Sequence, residues 1–218
     1  MTVKRTRIKI CGITRVDDGL AAAQCGADAI GLVFWPGTPR VVQLPQAREI
    51  ARAMPPFVSI VGLFVDPTAE EVNAVLDAVP LDLLQFHGHE PPLLCRSFGR
   101  RYLKAIAVAA TGDLLESVSP YDDAAGLLFD APPREGRPGG TGRTFDWSRL
   151  PARLSRPLIL SGGLNVGNVG NAVRSIRPWA VDVSSGVEAR DANDRPLPGI
   201  KDAAKIAAFV EEVRHADV

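Results

Sequence analysis

The sequence predicts an α/β chain closed into a single (β/α)8 TIM barrel. Three observations carry this. Eight short apolar runs recur along the chain, spaced about 20 to 30 residues apart, with helical patterns between them. Most of the runs are continuous rather than alternating, as in strands covered on both faces of a parallel sheet. Helical crossovers between parallel strands are right-handed, and eight such units in series close on themselves. The alternative is an open, doubly wound sheet. That fold ordinarily places G-x-G-x-x-G after its first strand, and Cys11-Gly12-Ile13-Thr14 does not match it.

The apolar runs lie at 8–10, 29–34, 58–65, 83–86, 102–108, 126–129, 158–160 and 180–183. Between the third and fourth, Val72, Val75, Leu76 and Val79 fall at i, i+3, i+4 and i+7. Thr68 and Glu71 ahead of them form a capping box, entered through an Asp66-Pro67 turn in which Asp66 is expected to cap the helix. Ala203, Ile206, Ala207, Val210 and Val213 give a closing helix its apolar stripe. Residues 114–118 are few for a helix, so a degenerate connection is expected there. The stretch 132–142, rich in Pro, Gly and Arg, is long for a strand-to-helix connection and reads as a functional or mobile loop, with 190–199 as a second of the same kind. No linker divides the chain, so residues 1–218 are expected to form one domain.

Composition narrows the function. With 46% hydrophobic and 23% charged residues in 218, the chain is ordinary for a globular protein. Lys plus Arg and Asp plus Glu are both 25, so no charge excess points to nucleic acid or to a basic partner. The basic start runs into a strand pattern rather than a signal-peptide core, and no apolar run approaches the ~18 residues of a membrane span. Cys11, Cys25 and Cys95 are odd in number and lack C-x-x-C spacing, which argues against disulfides or structural zinc and for a reducing cytoplasm.

Barrel chemistry sits at the C-terminal ends of the strands. Cys11 ends the first, just before a glycine break. It is either a small buried hydrophobe or a base, and its place at a strand tip favours the base. Cys25 and Cys95 fall in helical patterns and read as packing residues. Arg40, after Trp35-Pro36-Gly37-Thr38-Pro39, offers a fork for carboxylate or phosphate, or is a solvated surface charge. His87 leaves the fourth strand before a glycine and suits acid–base or hydrogen-bonding work, or a structural role, while His89 and Glu90 are expected to start the next helix. Asp130 follows four apolar residues and is a candidate proton donor, with a cap or core hydrogen bond as the alternative. Asp182 is an acid within an apolar strand, a substrate contact or a core hydrogen bond. Gly162-Gly163 and Ser185-Gly186, at the last two tips, let backbone N–H groups approach an anion, a phosphate site after strands 7 and 8. Residues 139–142 (GGTG) offer further amides.

Taken in order, KICGIT at 9–14, GADAIGLVFWPGTPR at 26–40, VGLFVD at 61–66, LQFHGHE at 84–90, Phe129-Asp130, GGTGRTFDW at 139–147, SGGLN at 161–165 and VDVSSGVE at 181–188 resemble the phosphoribosylanthranilate isomerases of tryptophan biosynthesis. The resemblance spans nearly the whole chain. It implies a (β/α)8 barrel performing an Amadori rearrangement, with Asp130 as general acid and Cys11 as general base. It implies substrate contacts from Arg40, His87 and Asp182, and a phosphate grip from Gly162, Gly163, Ser185 and Gly186. The implied partner is a phosphorylated small molecule, handled without metal or redox cofactor. A monomer is expected, with a dimer as the alternative. Departures from the family pattern are Phe86, Ala131, Ser161 and a sixth loop lengthened at 134–138. Competing readings are a phosphosugar aldolase using Lys104, a metal-dependent epimerase, the related rearrangement of a histidine-pathway aminoaldose, and a barrel that only binds a phosphorylated ligand.

Overall fold

The computed structural model describes residues 5–109, 111–132, 142, 144–151 and 153–217. Eight parallel strands close a barrel in sequence order: β1 (Arg7–Cys11), β2 (Ala29–Val33), β3 (Ser59–Phe64), β4 (Leu83–Phe86), β5 (Tyr102–Ala107), β6 (Gly126–Asp130), β7 (Leu158–Leu160) and β8 (Ala180–Val183). Closure is made by β8 on β1, in a register that sets Asp182 beside Lys9. The helices are α1 (Val16–Cys25), α2 (Leu44–Ala53), α3 (Ala69–Ala78), α4 (Pro92–Arg96), α5 (Leu114–Val118), α6 (Val169–Ile176) and α7 (Ala203–Ala216). Between β6 and β7 the described residues hold only a short 3-10 turn, Trp147–Arg149.

Alternation along β1 explains how the site is built. Ile8 and Ile10 point outward into the layer between barrel and helices, where Phe86, Phe129 and Phe209 are also fully buried. Burying each such side chain contributes roughly 1.5–3 kcal/mol. The period of two then turns Lys9 and Cys11 to the barrel interior. Cys11 joins a separate small cluster there with Val33 and Leu63.

The Thr68–Glu71 capping box forms as expected, with Glu71 N–H donating to Thr68 Oγ1 at 3.2 Å and Thr68 N–H to the Glu71 carboxylate at 2.8 Å. Three expectations are corrected. Asp66 does not cap α3; it adopts φ 47° and accepts from His89 N–H at 2.5 Å. His89 and Glu90 do not open α4, which begins at Pro92 behind Pro91. Residues 190–199 are not a plain loop, since β9 (Glu188–Arg190) and β10 (Pro196–Lys201) form an antiparallel hairpin after β8. The expected loop at 132–142 lies outside the described residues except for its ends. Among the described residues no helix is long and apolar enough to cross a membrane.

Candidate active site

The C-terminal end of the barrel opens into a cleft of about 500 Å³ of empty space. One wall is apolar, from Val33, Trp35, Leu63 and Val65. The other brings together Cys11, Arg40, His87, Asp130 and Asp182, with Ser161 and Ser184. Five of the side chains singled out in the sequence therefore face one volume, although they come from five different units of the barrel.

Cys11 is 5% exposed. Burial pushes its thiol up, the Lys9 ammonium pulls it down, and Asp182 pushes it up again; the net direction is up. Lys9 Nζ donates to Asp182 Oδ1 at 2.8 Å, both groups buried. Burial alone would drive Lys9 down, but Asp182 and Cys11 together outweigh it and hold the ammonium charged.

Asp130 ends β6. Its Oδ1 accepts the Ala131 N–H at 2.7 Å, and its Oδ2 lies 3.0 Å from His87 Nε2. Gln85 Nε2 lies 3.0 Å from His87 Nδ1, which in this amide orientation sets the proton on Nε2, where it is donated to Asp130. Gln85 Oε1 is buried with no partner. Gly162 has its Cα close behind Asp130: a Cβ there would stand 2.7 Å from Ala131 N and 3.0 Å from Oδ1, so only glycine lets the carboxylate sit where it does.

Arg40 is held from the far side. Its Nε and one Nη donate to the two oxygens of Glu188 at 2.7 and 2.9 Å, a bidentate pair that leaves the other Nη uncommitted among the described residues. Glu188 also accepts from Gly199 N–H at 2.9 Å and from Lys201 Nζ at 3.3 Å. Burial raises the Glu188 carboxyl, but Arg40 and Lys201 outweigh it and hold it below its ordinary value. Burial pushes Lys201 below its own ordinary value.

Arg40 also lines a second, adjoining groove of about 1070 Å³, with Gly142, Gly163, Asn165, Ser185, Gly186 and Lys205. A side chain at Gly186 would overlap the Leu164 carbonyl, so the loops after β7 and β8 can meet only because that residue is glycine. Such amide-rich loops can accept a phosphate.

Comparison with known proteins decides the family. Residues 8–212 match the family model described as N-(5'-phosphoribosyl)anthranilate (PRA) isomerase. The chain belongs to the phosphoribosylanthranilate isomerase family. An N-(5'-phosphoribosyl)anthranilate isomerase from Pseudomonas paraeruginosa is 57% identical over 208 residues, 95% of each chain. The phosphoribosylanthranilate isomerase of Thermotoga maritima superposes with a TM-score of 0.85 at 42% identity, covering 96% of this chain and 99% of that one. A relative solved with reduced 1-(o-carboxyphenylamino)-1-deoxyribulose 5-phosphate gives 0.80 at 37% identity, covering 96% and 99%.

In this isomerase family member, then, Cys11, Arg40, His87, Asp130 and Asp182 share the cleft, and Gly163, Ser185 and Gly186 line the groove. Gly162 is set against Asp130 instead. Of the run at 139–142, residues 139–141 lie outside the described residues and Gly142 lines the groove. Lys104, the aldolase candidate, is committed elsewhere: buried, it donates to Glu90 at 2.7 Å and to the Gly88 carbonyl at 2.6 Å. Sequence reasoning passed over Lys9, Glu188 and Lys201. The signal for Lys9 was present, a lone charge between two isoleucines of an apolar strand. Glu188 and Lys201 carried none, because their meeting depends on the hairpin.

Proposed function

We propose that the cleft rearranges N-(5-phospho-β-D-ribosyl)anthranilate to 1-(2-carboxyphenylamino)-1-deoxy-D-ribulose 5-phosphate, with Asp130 as general acid and Cys11 as general base. The observation that carries the assignment is that this thiol and this carboxyl, from strands three apart around the barrel, line the same cleft. The apolar wall at Trp35, Val33 and Leu63 suits the aromatic ring, Arg40 a carboxylate, and the glycine-lined groove beyond Arg40 the phosphate. Asp130 gives its proton to the furanose ring oxygen, the C1′–O bond breaks, and the aniline nitrogen supplies the electron pair for a protonated Schiff base. Cys11 takes the proton from C2′, and the C–H electrons flow to the imine carbon and discharge the nitrogen as an enamine. The enol formed then tautomerises to the ketone.

His87 has a part in the acid step. When Asp130 carries its proton, reversing the Gln85 amide sets the orphan Oε1 at His87 Nδ1. The proton then sits on Nδ1, and Nε2 can accept from the carboxyl.

The test is the loss of anthranilate-type fluorescence with freshly generated substrate and EDTA present. Cys11→Ala and Asp130→Asn are each expected to lose about 10²–10⁴-fold in turnover while keeping a native circular dichroism spectrum. Wild-type turnover in either variant would remove that residue from its role.

A further inference from the structure

A buried base needs something to keep it deprotonated, and the barrel interior supplies it through register. The β1–β8 pairing sets Lys9 beside Asp182, and the β1–β2 pairing sets Cys11 beside Gly31. Lys9 and Cys11 lie two residues apart on the same inward face. Both side chains turn into the space that Gly31 leaves open: a Cβ there would stand 2.7 Å from Cys11 Sγ and 3.1 Å from Lys9 Nζ. Any larger residue would push thiol and ammonium apart. Lys9 is 4% exposed, and Asp182 Oδ1 accepts a hydrogen bond from its ammonium at 2.8 Å. An ammonium so enclosed has few other places to turn.

We infer that Lys9, anchored by Asp182 and admitted by the missing side chain of Gly31, is the positioning residue that stabilises the Cys11 thiolate against the cost of burial. This rests on the reading of Cys11 as the base. The ammonium stabilises negative charge on sulfur before proton abstraction and does not itself touch the reacting carbon. The other charged or titratable groups facing Cys11 are Asp182 from β8 and Lys201 from β10, with Arg40, His87 and Asp130 across the cleft. Lys201 is spent on Glu188 and on the Ser184 carbonyl, and two of the Arg40 nitrogens are drawn to Glu188. Lys9 therefore acts on the thiol most directly.

The inference predicts opposite effects for the two members of the pair. Lys9→Gln removes the positive charge. Asp182→Asn removes the negative one and keeps an oxygen for Nζ. The purified full chain is alkylated with iodoacetamide across a pH series, and the Cys11 peptide is followed by mass spectrometry. Lys9→Gln is expected to slow Cys11 alkylation near neutral pH roughly tenfold, a rise of about one pH unit in the midpoint. Asp182→Asn is expected to move the midpoint down, and Lys9→Arg to stay near wild type. The limb of the turnover pH profile set by Cys11 ionisation should move with the alkylation midpoint in Lys9→Gln.

An unmoved midpoint in folded Lys9→Gln, or shifts of the same sign in both variants, would overturn the inference. Should Lys9→Gln fail to fold, Asp182→Asn decides alone, a downward shift supporting it and any other result refuting it. Failure of the underlying reading looks different, since Cys11→Ala would then retain turnover whatever the alkylation midpoints do.

Discussion

Glu188→Gln tests how the cleft-lining Arg40 is held. Glu188 is 4% exposed and is the shared counter-charge of Arg40 and Lys201. The substitution keeps the side chain's size and removes its charge, leaving two cations together in a site where the Lys201 side chain has no exposed surface. Removing one partner of a buried pair costs about 3–5 kcal/mol. Glutamine still accepts one hydrogen bond, so the lower end, about 3 kcal/mol, is expected. In a chain of 218 residues each kcal/mol moves Tm by roughly 2–4 °C, giving a fall of about 6–12 °C. Because Arg40 loses its bidentate anchor, KM should rise about tenfold or more, with a smaller change in kcat. The pH dependence gives a second handle. The folded-state Glu188 carboxyl lies below its ordinary value of 4.5. Its stabilisation is therefore complete above about pH 4.5 and is lost as pH falls through the lowered folded value. The stability gap between wild type and Glu188→Gln should be constant near neutrality and close as the solution is acidified below pH 4.5. Thermal unfolding by circular dichroism and fluorescence kinetics read both effects. A Tm within about 2 °C of wild type together with an unchanged KM would refute the anchoring argument.

Two further outcomes follow from buried groups away from the chemistry. Lys104→Met strands Glu90, which has no exposed side-chain surface and also binds the Gly88 and Asp66 N–H groups, so stability should fall by about 3–5 kcal/mol. The tip that carries His87 loses its Gly88 anchor in the same variant, and kcat should fall more than KM rises; a Tm near wild type in thermal melts would count against this account. Burial pushes the Cys95 thiol up to about 12, so iodoacetamide at pH 8 should leave Cys95 unmodified, which peptide mass spectrometry will show.

The barrel and the residues that line its cleft were legible in the sequence because both follow from local rules. Continuous apolar runs mark strands buried on both faces, and the residue at each break is carried to the open end whatever the rest of the chain does. That is why Cys11, His87, Asp130 and Arg40 could be named before the fold was known. Local reasoning failed where a side chain's partner lies far along the chain. Asp66 reads as a helix cap beside Thr68, yet it turns instead to His89, 23 residues on. Glu90 reads as a helix start, yet it is the counter-ion of Lys104. Arg40 reads as free to meet a ligand, yet two of its donors are taken by Glu188, 148 residues away. The sequence by itself determined the strands, the faces they bury and the residues delivered to the rim. Tertiary structure alone decided which charges neutralise one another inside the barrel, because closure of β8 on β1 sets the register that pairs Lys9 with Asp182, and an ion pair's strength depends on distance and burial that no local pattern encodes.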